Sequence, residues 1–200
     1  MKTGAVVAAA GLSSRMGSFK PLLEVEGRSF VRRVVDTLLD AGAEEVVVVT
    51  GYRAEELEAH LTGSGAACIR NEAYAGTEML DSAKLGFARL LPECGRILFT
   101  PADVPLFSAG TVRALLAAGM AEYAVPTCGE KTGHPVLLSA GTAEKVLSYA
   151  GDGGLRGALL WSGAGETRVP VEDPGCLQDA DTPEEYGKLL ELAHKTGAMP

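Results

Sequence analysis

The sequence predicts a three-layer α/β/α fold around a mainly parallel, mixed sheet, and three observations carry that expectation. Short apolar runs recur at residues 4–10, 46–50, 67–70 and 96–100, and the first is continuous rather than alternating, as a strand covered on both faces requires. Between these runs lie segments whose apolar residues recur at helical spacing. Glycines and prolines punctuate the junctions, so strand, helix and strand succeed one another as right-handed βαβ units. With 200 residues the chain is long enough to bury a full core as one domain, 1–200, and no repeat, low-complexity tract or linker divides it.

The elements follow in order. Residues 4–10 are expected to form the central strand, which breaks at Gly11 into a loop. Phe30, Val31, Val34, Val35, Leu38 and Leu39 alternate with charged residues and predict a helix over 29–41, closed by Gly42. The β-branched run 46–50 is a second buried strand, followed by an acidic helix over 54–61. A strand at 67–70 leads through a small-residue loop, 71–77, to a helix marked by Leu80, Ala83, Phe87 and Leu91 and stopped by Pro92. The strand at 96–100 runs into Pro101-Ala102-Asp103-Val104-Pro105, whose two prolines stiffen the turn and fix the direction of the Asp103 carboxylate. Ser108 is placed to cap a helix over 109–118. Strands at 123–126 and 135–138, helices at 142–149 and 155–160, an edge strand at 168–171 and a last helix over 182–195 complete the chain. The last helix opens on the capping box Thr182-Pro183-Glu184-Glu185.

Composition narrows the function classes. A hydrophobic fraction of 46% and a charged fraction of 22% are those of a globular protein. A formal net charge of −8 argues against nucleic acid or an anionic membrane as a partner, because phosphate backbones demand clustered cations. Cys68, Cys94, Cys128 and Cys176 are scattered with no metal-ligand spacing, and read as reduced packing residues. The N-terminus shows no signal-like segment and no apolar run reaches membrane-spanning length, which predicts a cytoplasmic protein.

Any phosphate site is therefore local, and the first loop has the composition for one. From Gly11 to Lys20 it holds hydroxyls, a second glycine at Gly17 and two cations, Arg15 and Lys20. Small residues let backbone N–H groups approach an anion, and the cations add charge-assisted contacts. The loop lacks the Gly-Lys-Ser/Thr of a P-loop and the G-x-G-x-x-G spacing of a dinucleotide fold. Ligands of parallel sheets bind beyond the carboxyl ends of the strands, which puts this loop, the Asp103 turn and the 71–82 segment on one edge. Mg²⁺, the companion of a nucleoside triphosphate, prefers one or two carboxylates with phosphate and water oxygens. Asp103 supplies one, and Asp181 or Asp179 supplies a second if the last loop folds back over that edge.

Taken together, Ala9-Ala10-Gly11-x-Ser13-x-Arg15-Met16-Gly17-x-x-Lys20, Asp103-x-Pro105, Gly133-His134-Pro135-Val136, Gly151-Asp152-x-Gly154-x-Arg156 and Asp179-x-Asp181-Thr182-Pro183-Glu184 occur in the order seen in MobA-like nucleotidyltransferases. The set most resembles the molybdenum cofactor cytidylyltransferases and spans nearly the whole chain. The resemblance implies a fold of the nucleotide-diphospho-sugar transferase type. It also implies a Mg²⁺-dependent enzyme that moves a nucleoside monophosphate onto molybdopterin or another phosphorylated small-molecule acceptor, with a cofactor-receiving enzyme as a further partner. By the same resemblance Gly11, Arg15 and Lys20 hold the triphosphate, with Ala9, Ala10, Ser13, Gly17 and Ser82 completing the nucleotide site. Arg15, Lys20 and Asp103 are the catalytic set, Asp103, Asp181 and Asp179 hold the metal, and His134, Asp152 and Arg156 belong to the acceptor side. Ala9-Ala10-Gly11 goes with CTP in this family, where a Gly-Gly pair goes with GTP.

The chain departs from the family pattern at two places. Pro101-Ala102-Asp103-Val104-Pro105 stands where Gly-Asp-Gln-Pro is usual, and Glu78-Met79-Leu80-Asp81-Ser82 stands where Gly-Met is followed by serines. Several residues also fit plainer roles when read alone. Asp103 fits a proline turn, His134 a satisfied structural group, Asp152 a helix cap, Arg156 a surface cation, and Asp181 the start of the last helix. His60 and His194 read as solvated, and Trp161 as a packing anchor. Alternatives in the same chemistry are GTP as donor or a sugar or alcohol phosphate as acceptor. An alternative of another class is a non-catalytic nucleotide-binding module that delivers cofactor.

Overall fold

A computed structural model describes residues 1–12, 16–119 and 122–196. Its main sheet is built from β1 (Thr3–Ala8), β4 (Glu45–Thr50), β5 (Ala67–Arg70), β6 (Arg96–Pro101), β7 (Tyr123–Cys128), β8 (Lys131–Thr132), β9 (Val136–Ser139) and β10 (Glu166–Pro170). The order is β10-β7-β9-β6-β1-β4-β5, with β8 pairing β7. β1 runs parallel to β4 and β6, and β10 parallel to β7, while β9 is antiparallel to both neighbours. The sheet is thus mostly parallel and mixed, as expected. The strand at the middle of the order is β6 rather than β1, which stands beside it.

The continuous apolar character of β1 follows from its two covered faces. Ala5 and Val7 point into one core with Val31, Val34 and Leu38 of α1 (Phe30–Asp40), Leu57 of α2 (Ala54–His60), and Val112 and Leu115 of α4 (Ala109–Ala117). Val6 and Ala8 point into the other, against Ala83, Phe87 and Leu90 of α3 (Met79–Leu90), Val146 of α5 (Ala140–Leu147) and Leu159 of α6 (Gly154–Ser162). Each large apolar side chain sealed in this way contributes ~1.5–3 kcal/mol. The hairpin β2 (Glu24–Val25) and β3 (Arg28–Ser29) and the helix α7 (Pro183–Thr196) enclose a third cluster around Val25, Phe30, Leu106 and Leu189. The sequence pattern did not reveal that hairpin, because its strands are only two residues long.

Caps define the helix ends. Ser29, Ser108 and Ser139 each accept from the backbone N–H three residues on. Ser139 therefore starts α5 two residues before the expected boundary. Among the described residues no helix is long and apolar enough to cross a membrane. All four cysteines are free. Trp161 does not anchor a core: it is 58% exposed, with its ring 5.6 Å from that of Tyr149. His60 is exposed yet hydrogen-bonded, its Nε2 lying 2.7 Å from Ser29 Oγ.

Candidate active site

The carboxyl ends of β1 and β6 lie side by side, with Ala8 opposite Pro101, and Ala102 donates its N–H to Ala8 O at 3.0 Å. The turn carrying Asp103 is thereby fixed to the strand that carries the first loop. Beyond Ala8 the chain continues the sheet for two more residues. Ala9 donates to Val49 O at 2.9 Å, and Ala10 O accepts from Tyr52 at 3.1 Å. The Ala9 N–H is therefore spent on the sheet and is not available to an anion. Gly51 permits this closeness, since a Cβ there would stand 2.7 Å from Tyr74 Cβ and 2.8 Å from Ala10. Gly11 is exposed, with no atom of the described residues near the place a Cβ would take, and Gly17 has the left-handed φ of +64° that favours glycine.

These elements border a cleft of about 220 Å³ lined by Ala8, Ala9, Ala10, Gly11, Lys20, Ser82, Asp103 and Asp181, with Tyr74, Glu78 and Met79 along its rim. Lys20 sits at the start of a 3-10 turn, Lys20–Leu22. Its Nζ lies 3.1 Å from Asp103 Oδ2 and also donates to Asp181 Oδ1. The three side chains are mostly enclosed, with 12%, 19% and 28% of their surface exposed. Burial pulls the Lys20 ammonium down, but the hydrogen bonds and charges of Asp181 and Asp103 outweigh it and hold the ammonium above its ordinary value. Asp179 does not line this cleft. Its carboxyl is nonetheless pushed up, first by burial and then by the charges of Asp103, Asp181 and Glu185, so it belongs to the same acidic field.

Of the expected nucleotide site, Ala9, Ala10, Gly11, Lys20 and Ser82 come together. Ser13 and Arg15 lie outside the described residues. Of the expected metal set, Asp103 and Asp181 meet at the Lys20 ammonium, whereas Asp179 lies off the cleft. Among the described residues no group of three or more His, Cys, Asp or Glu side chains could hold a metal ion. Two carboxylates still fit Mg²⁺, which takes its other oxygens from phosphate and water. They already share one cation, the Lys20 ammonium.

The acidic residues of the divergent 78–82 segment are spent on helix geometry. Glu78 donates its N–H to Asp81 Oδ2 at 2.9 Å and its side chain accepts in return, a capping box at the start of α3. Ser82 is 4% exposed, with its hydroxyl accepting from Asn71 Nδ2 at 3.1 Å. The same Nδ2 donates to Thr77 Oγ1 at 2.9 Å, and Asn71 Oδ1 accepts from Ala73 at 3.1 Å, so one buried amide shapes the whole 71–82 loop.

A second cleft, about 530 Å³, adjoins the first across Met79, which lines both. Its walls include Phe99, Tyr123, His134, Arg156, Leu159 and Glu166. His134 reaches the surface in part, while its Nδ1 is sealed from water and has no hydrogen-bond partner among the described residues. Burial holds the imidazole below its ordinary value, against the pull of the Phe99 backbone and Asp103. Tyr123 donates to Glu166 Oε2 at 2.9 Å, and its phenol is pushed up to about 12 by burial and by that carboxylate. Asp152 does not join His134 and Arg156: it is exposed outside this cleft, and its backbone carbonyl accepts from the Tyr149 hydroxyl. Gly154, with φ of +61°, supplies the turn into α6.

Asp173 escaped the sequence reading. Its Oδ2 accepts from Ser108 N at 2.8 Å and from Thr111 Oγ1 at 2.5 Å, and its Oδ1 accepts from Gly175 N at 3.1 Å. It thus ties the 3-10 turn Pro174–Leu177, upstream of Asp181, to the start of α4, downstream of Asp103. The Asp173-Pro174 dipeptide was the available signal, since such pairs favour turn initiation. Gly175 and Gly133 complete the clamp. A Cβ on Gly175 would stand 2.1 Å from Leu106 O, and one on Gly133 would stand 2.3 Å from Cys176 O.

Known proteins resemble the chain in both sequence and fold. A family model described as the MobA-like NTP transferase domain matches residues 5–166. Molybdenum cofactor cytidylyltransferase of Escherichia coli is 28% identical over 182 residues, covering 90% of this chain and 92% of that protein. Bifunctional protein GlmU of Albidiferax ferrireducens is 37% identical over 154 residues, and those cover 71% of this chain but only 32% of GlmU. A solved structure of a nucleotidyl transferase from Methanothermobacter thermautotroptrophicus superimposes with a TM-score of 0.86 at 26% identity, covering 98% of this chain and 99% of that one.

Proposed function

We propose that this chain, which belongs to the family of MobA-like NTP transferase domains, is a cytidylyltransferase that moves CMP from CTP onto the phosphate of molybdopterin or molybdenum cofactor and releases pyrophosphate. Nucleotidyl transfer is the activity of the family. The choice of CTP is supported by Ala9-Ala10-Gly11 at the loop and by the likeness to the Escherichia coli cytidylyltransferase along 90% of the chain. The observation that carries the chemistry is the meeting of Lys20, Asp103 and Asp181 at the mouth of β1 and β6.

A triphosphate cannot settle beside two carboxylates unless cations intervene. Asp103 and Asp181 would hold Mg²⁺, and when bound the ion would neutralise charge on the triphosphate. Lys20 supplies positive charge toward the departing pyrophosphate, and Arg15, with Ser13, Gly11 and Gly17, is assigned to the same anion. Ala9, Ala10 and Ser82, which line the same cleft, are assigned to the nucleotide. A phosphate-monoester acceptor is already an anionic nucleophile, so these residues need to position and neutralise rather than remove a proton. His134 and Arg156, in the adjoining cleft, are assigned to the acceptor. Asp152, outside that cleft, is assigned with them only as support for the α6 turn. The whole chain, 1–200, is taken as one nucleotidyltransferase domain.

Pyrophosphate release with CTP, GTP, ATP and UTP, each with and without molybdenum cofactor and with phosphorylated sugars and alcohols, tests the reading. Mg²⁺-dependent release with CTP and the cofactor is expected. Release with GTP or with another phosphate would transfer the assignment to that substrate. Tight nucleotide binding without release under every condition would replace the enzyme by a cofactor-delivery module.

A further inference from the structure

We infer that Lys20 is a placeholder for the divalent cation: in the nucleotide-free protein its ammonium occupies the gap between Asp103 and Asp181, and the triphosphate must draw it away before a metal ion binds tightly. The inference rests on the assignment of those two carboxylates to the metal. It begins from a geometric fact, that one ammonium is within hydrogen-bond reach of both carboxylates. A metal ion taken by the same pair would have to enter the space that this ammonium holds. Two cations that close repel, more strongly in a partly enclosed site than in water.

The backbone of Lys20 is anchored by its turn, and its side chain is long. Lys20 O accepts from Leu23 N at 3.0 Å in a turn stiffened by Pro21, whereas four methylenes lie between that backbone and the ammonium. The ammonium can therefore swing from the carboxylates toward an anion seated over Gly11 without any movement of the fold. Lys20 and Asp181 make contacts besides this one, and the exchange concerns only the shared ion pair. The shared ammonium offsets the mutual repulsion of Asp103 and Asp181. It also orders the ligands, since nucleotide binding removes the competitor of the metal. By linkage, metal must strengthen nucleotide binding by the same factor.

The test counts free Mn²⁺ by electron paramagnetic resonance while the full-length protein is titrated without nucleotide. Lys20→Met should bind Mn²⁺ at least ~10-fold more tightly than the wild type, the factor expected from removing one enclosed competing charge. Lys20→Gln, run alongside, gives the same reading should the methionine variant fail to fold, and Lys20→Arg should bind like the wild type. Mn²⁺ affinity unchanged or lowered in both neutral variants would overturn the inference. A parallel titration with a non-hydrolysable CTP analogue, corrected for Mn²⁺ held by the analogue alone, separates the two readings. If Asp103→Asn loses Mn²⁺ there while the neutral Lys20 variants show no gain, the metal assignment stands and the placeholder fails. If Asp103→Asn binds as the wild type does, both fail.

Discussion

Replacing Asp173 by alanine should loosen the junction on which the two convergent carboxylates depend. The substitution removes three accepted hydrogen bonds, from Ser108 N, Thr111 Oγ1 and Gly175 N. Bonds to a charged acceptor are worth ~1.5–3 kcal/mol each when the abandoned partner is buried. Thr111 is nearly sealed, at 2% exposure, and Gly175 is buried, whereas Ser108 N can rehydrate at the surface. The favourable placement of a carboxylate at the start of α4 adds ~0.3–1 kcal/mol. Since the three bonds share one side chain and do not add, the expected loss is ~2–3 kcal/mol, or ~5–10 °C in Tm for a chain of this length. Asp173→Asn keeps one carbonyl acceptor and should lose about half as much. Urea unfolding of the two variants measures this directly. Pyrophosphate release, assayed well below the lowered Tm, should also fall in Asp173→Ala, because the segment leading to Asp181 is no longer held to the segment leading from Asp103. A stability loss below ~0.5 kcal/mol would show that the clamp is redundant with Gly133 and Gly175 and would refute the reasoning.

Three further outcomes are expected. Asp103→Ala should abolish nucleotidyl transfer while its circular dichroism spectrum and urea midpoint stay near those of the wild type; near-normal turnover with Mg²⁺ would remove Asp103 from the site. Gly86→Ala should destabilise: the new Cβ would stand 2.4 and 2.6 Å from the two methyls of buried Val6, and overpacking of ~1–3 kcal/mol outweighs the ~1 kcal/mol that alanine brings to a helix. A urea midpoint that does not fall would show that β1 gives way. Because burial lowers the His134 pKa, the folded protein binds fewer protons there than the unfolded chain, so this contribution to stability is present above an ordinary value near 6.5 and is lost as pH falls below it. His134→Phe should flatten the decline in urea midpoint between pH 8 and pH 5.5, and parallel curves for variant and wild type would refute the assignment.

The fold was legible where a residue's environment is set by its own element. β1, β4 and β6 are covered on both faces, so their composition alone announces them, and Ser108 and Thr182 announce their helices because capping is a local bond. The site was legible only in part. Lys20, Asp103 and Asp181 could be named from motif and turn chemistry, but not their shared ion pair, which spans 83 and 161 residues of chain. Asp173 was missed for the same reason, since nothing within its own segment records that its partners lie 62 and 65 residues earlier. Glu78 and Asp81 were visible only as a departure from the family pattern. The backbone uses both to start α3.

Backbone demands of this kind also run through the motifs. Gly133 in the Gly-His-Pro motif is needed because the chain passes under the Cys176 carbonyl, and Gly154 because the turn into α6 requires a left-handed residue. Asn71 and Gly51 hold the loops around Ala10 and Ser82 by close approach and hydrogen bonds. These residues shape the backbone around the clefts, and need touch no ligand to be indispensable. Substituting them should lower stability and activity together, through the backbone. Substituting Lys20, Asp103 or Asp181 should instead separate the two, because each ends in an ionic group shared with the others and ordered around one small volume. Stability measured beside turnover therefore sorts the sequence motifs into frame and chemistry.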